Sequence, residues 1–160
     1  MKAIGFAKGM LFAYCKIPEL LNEIDRCVDN YAVNSTNINY TVMHSAYDYT
    51  QRIIRCAERK KKLIILYKKI EAAFLCCGEH TQKLLCQKYF EGKNVSELCK
   101  VHKVSIRTIY RHVESALLQF ARKLSKEGAT DQEYLNSLKG EIWLTNVMHR
   151  IKQSTRGRKV

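Results

Sequence analysis

The chain holds one proline and seven glycines in 160 residues. So few breakers exclude a fold built from many short strands and tight turns, and favour long uninterrupted helices. No stretch approaches the ~20 consecutive apolar residues of a membrane span, so no membrane association is expected. The first residues, MKAIGFAKGMLFAYCK, carry only a short apolar run, Met10 to Cys15, bracketed by Lys8 and Lys16. No small-residue cleavage site follows it, so a secretory leader is not expected either. There are seven cysteines (15, 27, 56, 76, 77, 86 and 99) but no C-x-x-C pair. An odd count argues against a closed disulfide set, and Cys77 and His80 have ligand-like spacing without a second pair to complete a zinc site. Reduced thiols at small apolar positions of helices are the expectation. No metal and no cofactor are called for.

Acidic residues are also scarce, fifteen against twenty-eight lysines and arginines, for a formal charge of +13. The imbalance is uneven. Residues 1–50 hold four basic and five acidic side chains, whereas residues 51–100 hold twelve basic and five acidic. A polyanion is the natural partner of the later part of the chain. The plainer explanation of a run such as ERKKK, residues 58–62, is a solvated helix face.

Hydrophobic residues make up 46% of the chain, enough for a packed core. Their spacing predicts an all-α protein in three parts. Residues 1–77 read as an N-terminal helical hairpin. One helix runs from about Ile17 to Val33, with Pro18 in its first turn and residues 1–16 at most weakly helical. The asparagine-rich loop NSTNINYT follows, then a long helix from about Ser45 to Cys77 with its stripe at Leu63, Leu66, Ile70, Ala73, Phe74 and Cys77. Residues 78–127 read as three short helices: 80–90, stopped by Gly92; SELCKVH, burying Leu98, Cys99 and Val101; and one capped by Ser105 with Ile109, Val113, Ala116, Leu117 and Phe120 inward. Residues 128–160 read as a last helix opening on a Thr130–Glu133 capping box, then a basic tail. Its inward side is expected at Tyr134, Leu135, Leu138, Ile142, Thr145, Met148 and Ile151.

The second and third helices of the middle part, joined by a tight turn, form a helix-turn-helix pattern. With Ile109 inward, the 3.6-residue period turns Arg107 and Arg111 outward, flanked by Thr108 and Tyr110. Arginine at such a position can grip guanine O6 and N7 with two hydrogen bonds, and threonine can meet a base or a thymine methyl. Arg107, Thr108, Tyr110 and Arg111 are therefore the candidate base contacts. Lys100, Lys103 and Ser105 are the candidate phosphate contacts, which position a protein without reading sequence. His112 lies nearer the core edge, where a packing role is expected.

These residues resemble region 4 of bacterial sigma factors. Tyr89-Phe90-Glu91-Gly92 stands where that family often ends a helix. Val95 to Lys103 is similar to its first motif helix and turn, and Val104 to Arg111 with Ala116-Leu117 to its recognition helix. The similarity covers about 45 residues. The chain departs from the family in two ways: Lys103 stands where the turn usually has glycine, and nothing matches the promoter-melting region 2. A helical N-terminal part before a region-4-like domain is similar to the small phage and mobile-element regulators of the ArpU and RinA group. The resemblance implies a sequence-specific transcriptional regulator that binds double-stranded DNA in the cytoplasm of a bacterial or phage-infected cell. RNA polymerase is a candidate partner, and a homodimer through the hairpin a candidate assembly. The competing readings are a DNA-binding part of a recombinase, transposase or packaging system, and a helical protein-interaction adaptor. Ser35, Ser45 and the acidic residues form no nucleophile or metal-carboxylate pattern, and no local signature builds a thiol enzyme from a cysteine with His44 or His80, so no catalytic residue is expected.

Overall fold

The structure, a computed structural model, describes residues 3–36, 46–129 and 141–156, the last stretch with side chains to Ile151. The fold is all-α, and no strand occurs among the described residues. Its helices are α1 (Ala3–Thr36), α2 (Ala46–Leu75), α3 (Glu79–Leu85, running into a π turn at Cys86–Phe90), α4 (Val95–His102), α5 (Ile106–Lys126) and α6 (Ile142–Arg156). None is long and apolar enough to cross a membrane.

These helices form two compact units. One unit comprises Met1–Cys15 with Lys68–Val160, and the other Lys16–Tyr67. The expectation of a helix starting at Ile17 is corrected: α1 starts at Ala3, and Pro18 lies inside it. Pro18 has no N–H for the Tyr14 carbonyl, so the helix gives up one ladder bond close to the boundary between the units. The first four turns form because most of their apolar residues are covered, Phe12 being the exposed exception. Phe6, Ala7, Met10, Leu11 and Ala13 are all buried, which outweighs their weak intrinsic pattern.

In the unit 16–67, α1 and α2 run antiparallel. Asp25 pairs with Lys60. Tyr31 meets Tyr49 at 6.5 Å between ring centroids, and the Arg52 guanidinium lies 5.7 Å from the centre of the Tyr31 ring. Partners therefore fall in register as one number rises and the other falls, as a hairpin requires.

In the other unit, aromatic rings bind the elements together. Phe90 stacks on Tyr14 at 5.6 Å and tilts against Phe74 at 5.5 Å, and Phe74 meets Phe120 edge-on. Such offset and edge-on contacts each contribute about 0.5–1.5 kcal/mol beyond area burial. The π turn is what presents Phe90 there: the Glu91 N–H reaches back to the Cys86 carbonyl at 3.0 Å, one residue farther than an α-helix would. Between α2 and α3, the Gln82 side chain donates to the Leu75 and Cys77 carbonyls at 3.0 and 2.8 Å, satisfying acceptors that the end of α2 leaves open.

α6 also packs in this unit, but in a different register from the one expected. Leu144 and Met148 are buried, while Ile142 is 72% exposed and Thr145 is exposed. The buried Glu141 carboxylate accepts from Trp143 Nε1 at 2.7 Å, which fixes the first turn and rotates Ile142 outward. Tyr134, Leu135, Leu138 and the Thr130–Glu133 capping box lie outside the described residues. Against α6, α1 presents glycines one turn apart. A β-carbon at Gly5 would meet Ile151 Cγ2 at 3.8 Å, an ordinary contact, but at Gly9 it would fall 1.9 Å from the Met148 sulfur. Glycine is needed at position 9 for this approach, although it weakens a helix interior by roughly 1 kcal/mol relative to alanine.

All seven cysteines are free, but only Cys77 is buried; Cys15, Cys27 and Cys76 are exposed and the rest half-buried. The expectation that most of them fill apolar positions is thereby corrected. Burial pushes the Cys56, Cys77 and Cys86 thiols above their ordinary value, so they stay protonated near neutral pH.

The Gly9 contact gives a direct test. Gly9→Leu should lower stability by about 1–3 kcal/mol in urea unfolding, as overpacking does. Adding Met148→Ala should recover a good part of that loss. Equal loss in the single and double variants would show that Gly9 does not face Met148.

Candidate nucleic-acid interface

α4 and α5 are closed at their ends by local chemistry. At the start of α4 the Asn94 side chain accepts from the Glu97 N–H at 2.9 Å, and the Glu97 carboxylate accepts from the Asn94 N–H at 2.8 Å, a complete capping box. The helix ends on Lys103 in the left-handed region, φ 52° and ψ 42°. The N–H groups of Lys103 and Val104 both reach the Cys99 carbonyl. Ser105 then caps α5, accepting from the Thr108 N–H at 3.3 Å, with the two hydroxyls 2.9 Å apart. The turn between the helices is thus Lys103–Ser105. Lysine holds the left-handed position that glycine would fill without strain, at a cost of about 1 kcal/mol.

α5 is clamped from one side. Ile109, Ala116, Leu117, Phe120 and Leu124 are buried, Val113 is half-buried, and Leu98 of α4 is fully buried. From α3, the buried Thr81 hydroxyl donates to Gln119 Oε1 at 2.9 Å. The α4 register differs from expectation in one respect: Val101 is 49% exposed and Cys99 half-buried, so Leu98 alone is the buried anchor of that helix. Its eight residues are too short to turn a wide stripe inward.

The predicted residues fall as follows. Arg107 and Arg111 are exposed, on the side of α5 opposite Ile109, Ala116 and Phe120. Lys100 and Lys103 are exposed at the end of α4 and in the turn. Ser105 is exposed but its hydroxyl is engaged in the cap, and Thr108 is half-buried with its hydroxyl on Ser105. Tyr110 is 51% exposed and turns to a flank. There it lines a cleft of about 440 Å³ with Ile4, Lys8, Tyr89 and Val113. Burial raises the Tyr89 phenol in this cleft to about 12, so it remains a hydroxyl.

A histidine cluster on the opposite flank has no counterpart in the sequence expectations. The His80 ring meets His102 and His112 edge-on, at 5.8 and 6.1 Å between centroids. His102 Nε2 lies 2.9 Å from Oε1 of the buried Gln87, which links α4 to the π turn. His112 is half-buried at the core edge. His80, His102 and His112 come from three different helices, so no spacing rule in the sequence would have joined them. No group of three or more His, Cys, Asp or Glu among the described residues is placed to hold a metal ion. The His102 pKa is held below its ordinary value, first by burial and then by His80, Lys83, His112 and Lys93. On the face of α5 that carries Arg107 and Arg111, exposed guanidinium groups stand open to an anion, with lysines at the turn beside them.

No known family matches the chain, and no curated protein or solved structure matches it.

Two outcomes follow from this geometry. Because the folded pKa of His102 is depressed, its contribution is complete above the ordinary value of 6.5 and is lost as pH falls through the folded value. Urea midpoints should therefore drop between pH 7.5 and 5, and drop less in His102→Gln; parallel profiles would refute the coupling. Lys103→Gly should raise stability by about 1 kcal/mol by relieving the left-handed strain. A neutral or negative change would place the turn in another conformation.

Proposed function

We propose that this protein is a sequence-specific DNA-binding transcriptional regulator of the sigma region 4-like kind, acting in the cytoplasm of a bacterial or phage-infected cell. One observation carries the reading: Arg107 and Arg111 stand exposed on the outer side of a capped helix whose other side is locked into a core. A helix held in this way places its side chains with the fixed geometry that base reading needs, and α4 with its short turn supplies the supporting half of the motif. The net charge of +13 supports the same reading, since a polyanion gains from it at long range. In this reading Arg107 and Arg111 contact base edges, Thr108 and Tyr110 border them, and Lys100, Lys103 and Ser105 meet phosphates. RNA polymerase is the proposed second partner, following the resemblance to region 4. No cofactor takes part.

Selection of bound sequences from a random duplex pool, followed by binding at several salt concentrations, tests the proposal. The expected result is a defined site whose affinity falls steeply with salt. Arg107→Ala and Arg111→Ala should each cost about 1–3 kcal/mol and relax preference at one position, whereas Lys100→Ala should weaken all sequences alike and reduce the salt slope by about one. A chain that retains no duplex even at low salt would favour the interaction-adaptor reading instead.

A further inference from the structure

The cleft beside Tyr110 plays no part of its own in the DNA-binding reading. Four elements of the larger unit line it: the start of α1, the π turn, α4 and α5. Its walls are the half-buried side chains of Ile4, Val95 and Val113. Beneath them lie the fully buried Leu98, Ile109 and Leu117. Its volume of about 440 Å³ is that of a small-ligand site and leaves no room for a folded partner.

Polar groups narrow the choice of ligand. Burial withdraws the Tyr89 phenol from water, and its hydroxyl has no hydrogen-bond partner among the described residues. A hydroxyl in that position is completed by water or by a ligand. Lys88 donates to the Lys93 carbonyl at 3.3 Å, and no carboxylate pairs with it among the described residues. An ammonium has three protons, so two remain for another acceptor. Lys8 and Lys88 against the exposed Glu114 give the lining one net positive charge. A neutral apolar ligand would cover Lys88 without supplying an acceptor. A small inorganic anion would leave the aliphatic walls in water. Both halves of the lining are met by an apolar body that carries one anionic head.

We propose that this cleft binds a small amphipathic monocarboxylate, with its apolar body against Ile4, Val95 and Val113 and its carboxylate accepting from the Lys88 ammonium and the Tyr89 hydroxyl. The site does not require that α5 read DNA. Because α5 forms one of its sides, a regulator would hold this ligand against its own recognition helix.

Octanoate, octanol and acetate serve as probes, titrated into the full chain by calorimetry and located by amide shift mapping. Octanoate should saturate a single site and bind about ten-fold or more tighter than octanol, the worth of one charge-assisted hydrogen bond. Acetate should show no saturable binding. The shifts should centre on Ile4, Lys88, Tyr89 and Val113. Val113→Trp fills the cleft and should abolish octanoate binding with unchanged far-ultraviolet circular dichroism; Ile4→Trp fills it from α1 should the first variant unfold. Lys88→Met should weaken octanoate about ten-fold and leave octanol unchanged, and Tyr89→Phe should weaken octanoate alone. A parent chain without saturable octanoate binding would overturn the proposal. So would octanol that binds as tightly as octanoate, shifts centred elsewhere, or a folded tryptophan variant that keeps the parent's affinity. These titrations contain no DNA, so their outcome is separate from that of the duplex-binding test.

Discussion

Phe90 sits between Tyr14 and Phe74, and the rest of the larger unit depends on that placement. Through these rings the first helix, the end of the second and the short helices share one core. The position exists only because the π turn inserts an extra residue before Gly92, whose positive φ of 70° then releases the chain toward Asn94. A regular α-helix through Cys86–Phe90 would carry Phe90 about a quarter-turn away. The irregularity is thus a device that joins segments distant in sequence, and the helix-turn-helix is built on its far side.

Around that core the polar chemistry is divided between jobs. Ser105, Thr108, Asn94 and Glu97 spend their hydrogen bonds on helix ends. Gln87 and Thr81 are buried and spend theirs on neighbouring helices. The two arginines remain exposed on the outer side of α5, together with Glu114, Leu118 and Arg122. An exposed guanidinium on a rigid support keeps its hydration and its reach, and loses little rotamer freedom when it meets a planar acceptor.

Local signals were the legible part of the sequence. The Ser105 cap, the stop at Gly92 and the glycine-like position of Lys103 each depend on a few neighbouring residues, and each stands where the pattern placed it. The inner stripe of α2 was equally readable, because Leu63, Leu66, Ile70, Ala73 and Phe74 repeat one period. What escaped depends on contacts far along the chain. Residues 3–16 are helical because α1 is covered on its apolar side, which no local propensity reveals. Nothing in the local sequence shows why position 9 is glycine; the close approach of Met148 does. The register of α6 turns on the Glu141–Trp143 bond, and the histidine cluster requires three helices to be in place. The two arginines were legible as outward-facing by period alone, whereas the turning of Tyr110 to a flank cleft reflects the neighbourhood of Ile4 and Lys8.

The contact of Gly9 with Met148 joins segments far apart in sequence. Nascent helices can form as the polypeptide leaves the ribosome, but this seam cannot close until α6 has been made. The larger unit therefore cannot complete its folding before α6 emerges, and until then the greasy side of the first four turns has to wait without its final neighbour. A chain interrupted before α6 would leave Gly9 and its surroundings open to water, a form suited to recognition by chaperones or proteases.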